Sequence, residues 1–374
     1  MKKVRILFLL LTVSSAVLAQ LNNAPFYDRL QVSPEDSGRL YLGINAMGFS
    51  KDNEYFGGII DGYTLYGYQL APGFSYQFAP HWRIDAGAWL QKDFGNNNYT
   101  TIAPIFTIKH QKNNVSTIFG NLEGSLNHRL IEPLYDFERV LDKNRLEQGG
   151  QIVIDREKLF FDAWIDWQVM QYPGDTRQEE LTGGISAEKK LPKISSWNLS
   201  VPLQVVVKHK GGQLDINPLP LTTLWNSAAG ISATHGLFGF FRELRFSNYV
   251  VYYKDMSFTK RQFFKDGSGI YLNMNLKTKR GLEAMVSYWR GHEFITIQGG
   301  KIYPSQGVYD ATVIQPKMNL LMLRILYAAQ VNETFSVSAR IEPYYDFGFR
   351  QLQYAFGIYL IYKDRFFLGQ PRRK

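Results

Sequence analysis

The sequence predicts an all-β chain: a single transmembrane, antiparallel, up-and-down β-barrel of about 16 strands, 14–18 being the range the pattern allows. Three observations carry that expectation. Apolar and polar residues alternate with period two in segment after segment along the 374 residues. Aromatics supply 15 % of the chain, with 23 Tyr and 26 Phe, as strands standing in two solvents require. The connections between segments are short and long by turns. Mean hydropathy is slightly negative. The longest nearly charge-free run after residue 20, 216–241, is interrupted by Pro218, Pro220, Asn226 and His235, so no spanning helix is expected there.

In chain order, residues 1–19 read as a cleaved secretory signal. Lys2, Lys3 and Arg5 form a basic start, Ile6 to Val13 an apolar run, and Val17-Leu18-Ala19 a small-residue cleavage site. The run is far shorter than the ~20 residues a spanning anchor needs. Residues 20–38 are expected to be a periplasmic lead-in, 39–367 the barrel and 368–374 a short basic tail. The strands are expected at 39–49, 64–78, 82–94, 99–109, 115–122, 148–156, 159–171, 178–188, 197–209, 222–234, 242–253, 268–278, 281–290, a diffuse 308–330, 334–346 and 351–366. In 64–78, Tyr66, Tyr68, Leu70, Phe74, Tyr76 and Phe78 share one face, while Gln69, Ser75 and Gln77 share the other. Leu272 and Ile358 fall on apolar faces and Asn273 on a polar one. Turns such as 79–81, 110–114, 156–158, 279–280 and 331–333 belong to one rim. Longer links (51–62, 124–147, 210–221, 254–267 and 291–307) belong to the other, short turns being periplasmic and long loops extracellular.

A large soluble sandwich or propeller is the rival architecture. It would repeat a blade motif or a fixed period, and none is present. Trp82, Tyr99, Trp197, Tyr253, Tyr288 and Tyr362 near strand ends suit interfacial aromatic girdles. With the last amphipathic strand and its aromatics (Tyr354, Phe356, Tyr359, Tyr362, Phe366, Phe367), these features resemble Gram-negative outer-membrane β-barrels of the porin type. The resemblance covers the whole mature chain and rests on pattern. One departure is the ending: the class commonly stops at a terminal aromatic, whereas this chain runs on through Leu368 to Lys374. The resemblance implies outer-membrane lipid and lipopolysaccharide as surroundings, small hydrophilic solutes as cargo and a homo-oligomer as a candidate assembly.

Zero cysteine excludes disulfides, thiolate metal sites and thiol nucleophiles. No Gly-x-Ser-x-Gly, P-loop or Gly-x-Gly-x-x-Gly is present, and His292-Glu293 lacks the second histidine of a zinc motif. The net charge of +9 reads as a mildly positive lumen or surface, with no nucleic-acid partner. No cofactor and no metal are expected, and the chain is read as a non-enzyme. The one catalytic rival is Ser125, His128, Glu132 and Asp136, close together after the fifth strand, which would make a hydrolase if geometry assembled them.

Alternation places Arg83, Asp85, Lys109, Asp162, Asp166, Lys208, Glu243, Arg245, Lys277, Glu283, Arg324, Arg340 and Glu342 on the polar, pore-lining face, since a charge on the lipid face costs several kcal/mol. The loop 121–147 carries Glu123, His128, Arg129, Glu132, Asp136, Glu138 and Arg139 together with Leu126, Leu130, Ile131, Leu134, Phe137 and Val140. Such apolar content predicts a loop that packs at the barrel mouth or folds inward as a constriction, with a short helix over 135–146. Its charges are expected to face wall basics such as Arg83 and Arg340. The function expected is passive diffusion of small hydrophilic solutes. The alternatives are a barrel anchor or assembly component of a surface or secretion complex, and the hydrolase.

Overall fold

A computed structural model describes residues 21, 23–27, 30, 32–123, 128–213 and 216–370; the expected signal, Ser125 and the last four residues lie outside them. Sixteen strands close into one barrel in which each is hydrogen-bonded to its sequence neighbours and β1 to β16, all antiparallel. They are β1 (Leu40–Phe56), β2 (Asp61–Ala79), β3 (Trp82–Asp93), β4 (Thr101–Lys112), β5 (Val115–Asn121), β6 (Gln148–Arg156), β7 (Leu159–Val169) and β8 (Glu180–Lys190). The second half comprises β9 (Trp197–Lys210), β10 (Thr222–Gly236), β11 (Phe241–Asp255), β12 (Asp266–Thr278), β13 (Leu282–His292), β14 (Lys317–Gln330), β15 (Phe335–Asp346) and β16 (Gln351–Gly369). Closure matters physically, because lipid offers no partner for an unpaired backbone N–H or C=O.

The period-two pattern explains which side chains face out. Phe74, Leu272, Met274, Ile358 and Leu360 are exposed on the outside, while Gln69, Ser75, Asn273 and Gln353 are buried inside. This is the outward apolar, inward polar wall of an outer-membrane barrel. Three boundaries differ from expectation. Residues 51–62 are no loop: β1 and β2 continue through them as a paired hairpin turning at 57–60. The diffuse segment at 308–330 is the end of a long connection followed by a regular strand, β14. Strand β16 runs on to Gly369, past the expected start of the tail. Tyr253 is also no girdle residue; it is fully buried inside and donates to the Phe264 carbonyl at 3.2 Å.

Candidate functional site

Two long connections and the N-terminal segment fold into the lumen. In the connection 122–147, Leu130, Ile131, Leu134 and Tyr135 are fully buried, with Phe137, Val140 and Leu141 close behind. The wall holds it through side chains that replace backbone partners. Gln204 accepts from the Ile131 N–H at 2.9 Å and donates to the Arg129 carbonyl at 3.0 Å. Gln69 and Gln91 donate to the Val140 and Leu141 carbonyls at 2.9 and 3.0 Å. Instead of the expected helix over 135–146, two 3-10 turns form, Phe137–Leu141 and Lys143–Arg145, capped by the carboxylates of Asp136 and Asp142.

The second connection, 293–316, joins the first: Asp136 N–H donates to the Gln298 carbonyl at 2.8 Å and Gly300 N–H to the Glu132 carbonyl at 2.9 Å. The N-terminal segment enters from the turn side, where Leu21 packs on Met285 and Leu326. Phe26 meets the rings of Phe137 and Tyr359 edge-on.

Where the two connections meet, charges pair around a gap of about 40 Å³. Lys51 lies 2.9 Å from Glu138 and 3.5 Å from Glu342, and Lys301 lies 3.7 Å from Glu138. Arg324 pairs with Glu132 and, at 3.4 Å, with Glu342; it also donates to Tyr271 and Tyr303 at 3.0 and 2.8 Å. The loop acids therefore meet Lys51 and Arg324, which corrects the expected pairing with Arg83 and Arg340. Arg83 is held by Asp85 at 2.6 Å on its own strand, and Arg340 lies 3.7 Å over the Phe137 ring while donating to Asn23 at 2.6 Å. The sequence pattern did not mark Lys51, Lys301, Tyr303 or Tyr63, whose hydroxyl donates to Glu138 and accepts from Lys301 at 3.1 Å. Carrying the alternation of Met47 and Phe49 two residues further would have placed Lys51 inside; nothing in the pattern marks Lys301 or Tyr303.

The remaining predicted residues also point inward, mostly paired with neighbours. Lys109 binds Glu123 at 2.8 Å, Arg245 binds Glu243 at 2.6 Å, and Lys277 stands 3.9 Å from both Glu243 and Glu283. Lys208 meets Glu180 at 3.3 Å, Asp166 accepts from the Gln148 N–H at 2.8 Å, and Arg129 meets Asp155 at 3.3 Å. Arg139 binds Glu147 at 3.2 Å.

His128 is fully enclosed. Its Nε2 lies 2.7 Å from Glu147 and its Nδ1 2.9 Å from Asp162, and the ring stacks on Trp164 at 3.8 Å. Burial alone would discharge it, but Glu147 and Asp162 outweigh burial and push its pKa up to about 10. Both ring nitrogens donate to carboxylates, so neither can take a proton from a serine hydroxyl. Glu132 is engaged by Arg324 and Tyr303, and Asp136 caps Glu138. Of the expected hydrolase set, His128 and Glu132 are thus held in ion pairs and Asp136 in a cap, while Ser125 lies outside the described residues. A different hydroxyl–imidazole contact exists on the outward face of the long-loop rim. There His209 Nδ1 lies 2.9 Å from Thr223 Oγ1, with Nε2 2.9 Å from the Gly211 carbonyl. A carbonyl only accepts, so Nε2 carries the proton and Nδ1 takes the Thr223 hydrogen bond. Among the described residues no group of His, Asp and Glu is arranged to hold a metal ion.

Solved structures share the fold. The chain resembles Pseudomonas aeruginosa OccK2 (OpdF), solved with glucuronate, at 11 % identity and TM-score 0.52, covering 91 % of this chain and 100 % of that one. It resembles OprD of the same organism at 12 % identity and TM-score 0.50, over 93 % and 100 % of the two chains. A BenF-like porin from Pseudomonas fluorescens matches at 10 % identity and TM-score 0.52, over 87 % and 98 %. The likeness is one of fold: the chain shares the closed β-barrel architecture of these porins. No curated protein matches the sequence. The profile of a family described as lipid A 3'-O-deacylase-type matches residues 32–371. That is an enzyme family, and the match corrects the expectation of a non-enzyme, which rested on finding no familiar catalytic motif. Spanning nearly every residue after the lead-in, the match establishes that the chain belongs to the lipid A 3'-O-deacylase-type family.

Proposed function

We propose that the barrel is a narrow, loop-constricted channel for small hydrophilic solutes of the outer membrane. The observation that carries this reading is the gap between the two infolded connections. It is small, and Lys51, Lys301 and Arg324 face Glu132, Glu138 and Glu342 across it. Polar constrictions of that kind select by size and by charge placement. Outer-membrane lipid, lipopolysaccharide and small solutes are its proposed partners. Planar-bilayer recordings of the refolded protein test the reading: a small conductance is expected, and deleting residues 130–144 raises it while weakening ion preference. Equal conductance and selectivity in the folded deletion variant would overturn it. An anchor with a filled lumen passes no current with or without the loop.

A second reading follows from the family and from the Thr223–His209 contact on the lipid-facing rim. It is hydrolysis of an acyl ester of an outer-leaflet lipid, with Thr223 as nucleophile and His209 as base. A lipid A deacylation assay decides it: activity that survives both Thr223→Val and His209→Gln removes the pair from the chemistry.

A further inference from the structure

The barrel wall is cut low at one place. Strand β5 has seven residues and β6 nine, against 12 in β4. Pairing of β4 with β5 ends at Thr107↔Gly120, so among the described residues no strand lies beside residues 101–106 of β4 on that side. Across the gap, pairing of β6 with β7 ends at Gly149↔Asp166, leaving the last residues of β7 bare as well. The residues flanking this notch on the outside, Ile102, Phe106, Ile165 and Trp167, are exposed and apolar, which sets the notch at the depth of lipid rather than in water.

An open strand edge in lipid requires its donors to be removed or satisfied. Two successive positions on the β4 edge meet that requirement. The Phe106 N–H faces the notch and is taken by Asn121 Oδ1 at 2.8 Å. Two residues along, on the same edge, stands Pro104, which has no N–H.

Behind the notch lies a cavity of about 350 Å³ whose lining includes Ile105, Thr107, Asn121 and Leu122 at the notch border. From Ile105 the wall continues along the hydrogen-bond direction as Gly87, Gly73 and Gly43, which are successive cross-strand partners. With no side chains on their floor the three glycines form a trough about 10 Å long, two strand spacings, with the Ile105 side chain at its head. Trp89, Met47, Leu122 and Leu146 also line the cavity. Charged residues, among them Arg83, Asp85, Arg145 and Glu147, line another part of it, so the apolar stretch is the one that borders the notch at Ile105 and Leu122. At the border, Asn121 Nδ2 is buried without an acceptor among the described residues, placed to donate to an ester carbonyl.

We infer that the notch above β5 and β6 admits an acyl chain of an outer-leaflet lipid from the side, and that the chain lies along the Gly87–Gly73–Gly43 trough inside the barrel. This goes beyond the solute-channel reading and does not depend on it. It also does not require the Thr223–His209 pair to be catalytic.

Because the sequence has no cysteine, single positions can be labelled with an environment-sensitive fluorophore and the barrel refolded into phosphatidylcholine vesicles with brominated acyl chains. Labels at Ile105→Cys and Ala71→Cys face inward by strand alternation, the first at the notch and the second within the cavity. Leu272→Cys faces lipid, and Gln111→Cys shares strand and face with Ile105 but lies where β5 seals the wall. Quenching at Ile105 and Ala71 is expected to reach at least half that at Leu272, with Gln111 unquenched. An Ile105 label no more quenched than Gln111 overturns lateral admission, and quenching at Ile105 without Ala71 overturns residence in the trough. Heat-modifiable migration of each variant confirms that it is folded. In the Ala71→Cys background, Gly43→Leu should cut the quenching severalfold by filling the trough, since a Cβ at Gly43 meets nothing nearer than 3.7 Å; unchanged quenching there counts equally against the trough.

Discussion

The two sides of the lumen solve the same problem in opposite ways. Along β10–β14 the inner face carries Leu224, Tyr249, Val251, Tyr253, Tyr271, Trp289, Met318, Leu320 and Met322, all buried, against Phe294 and Tyr303 of one infolded connection and Leu134 and Tyr135 of the other. Along β1–β4 it carries Gln69, Gln91, Ser75, Asp85, Thr107 and the glycine row, and cavity remains between the wall and what fills the barrel. The first side is packed like the core of a soluble protein; the second is bonded through amides and stays hollow. The charged gap between the two connections lies where the sides meet, lined by Lys51 of β1 and by Met322 and Arg324 of β14, while the larger cavity belongs to the second side alone.

The largest effect expected from breaking this contrast is at Trp289, fully buried among Tyr271, Phe294 and Tyr303. Trp289→Ala should cost about 3–5 kcal/mol, as large-to-small core changes do, in denaturant unfolding of the detergent-solubilised barrel. Gln69→Ala on the hollow side strips the Val140 carbonyl of its donor and should cost only about 1–3 kcal/mol. Equal costs would erase the distinction between the sides.

Next comes the staple between connection and wall. His128→Ala leaves Glu147 and Asp162 buried without the cation between them, a change of about 3–5 kcal/mol for a broken buried pair. Most of that should appear as faster hydrogen exchange in residues 128–147, with the strands unaffected. The sign with pH follows from the raised value. The imidazolium's contribution is complete below the ordinary histidine range and is lost as pH rises through about 10, so wild-type exchange in the loop should accelerate there beyond its intrinsic rise.

On the outer face, Leu272→Arg and Ile358→Arg should each cost about 2–4 kcal/mol near the midplane and block assembly. The matching inward change sharpens the comparison. Asn273 donates to the Ser247 carbonyl at 2.9 Å and accepts from Ser287 at 2.6 Å, so Asn273→Arg disrupts the packed side. Ala71→Arg, on the hollow side, should assemble.

The barrel itself was legible in the sequence because period two is enforced by the solvents on either side of each strand. Leu272/Asn273 and Ile358/Gly357 could not exchange faces without exposing charge or polarity to lipid. The contents of the lumen were legible only in part. Leu130, Ile131, Leu134 and Phe137 signal an infolded loop by being apolar where water was the alternative. Which wall charge each loop acid meets depends on where the loop lies, and no local pattern encodes that. Hence Lys51 and Arg324, rather than Arg83 and Arg340, receive Glu138 and Glu132. The short β5 and β6 were visible as lengths, and Pro104 as an edge residue, but a notch needs both strands to stop at the same height, which is a matter of register.

The smallest effect expected is a graded one at the joint of the two infolded connections. Asp136 is buried there, and burial first, then the neighbouring Glu138 carboxylate, pushes its pKa up to about 7; Glu132 adds to the rise and Lys51 opposes it. An acid whose folded value is raised binds its proton more tightly in the folded state, so its contribution is complete below the ordinary carboxyl value near 3.8 and is lost as pH rises through about 7. Between pH 6 and 8 the loss is about 1 kcal/mol. Ionised Asp136 then repels Glu138 and Glu132 on the segment bonded to Gln298, and the joint loosens. Hydrogen exchange of residues 135–141 should rise across that interval by a few-fold more than in strand segments. Asp136→Asn, which keeps an oxygen to cap the Glu138 N–H, should flatten the rise. The same dependence in Asp136→Asn and wild type would assign it to another group. A joint that does not loosen at all would mean Lys51 and Lys301 hold the three carboxylates together whatever their charge.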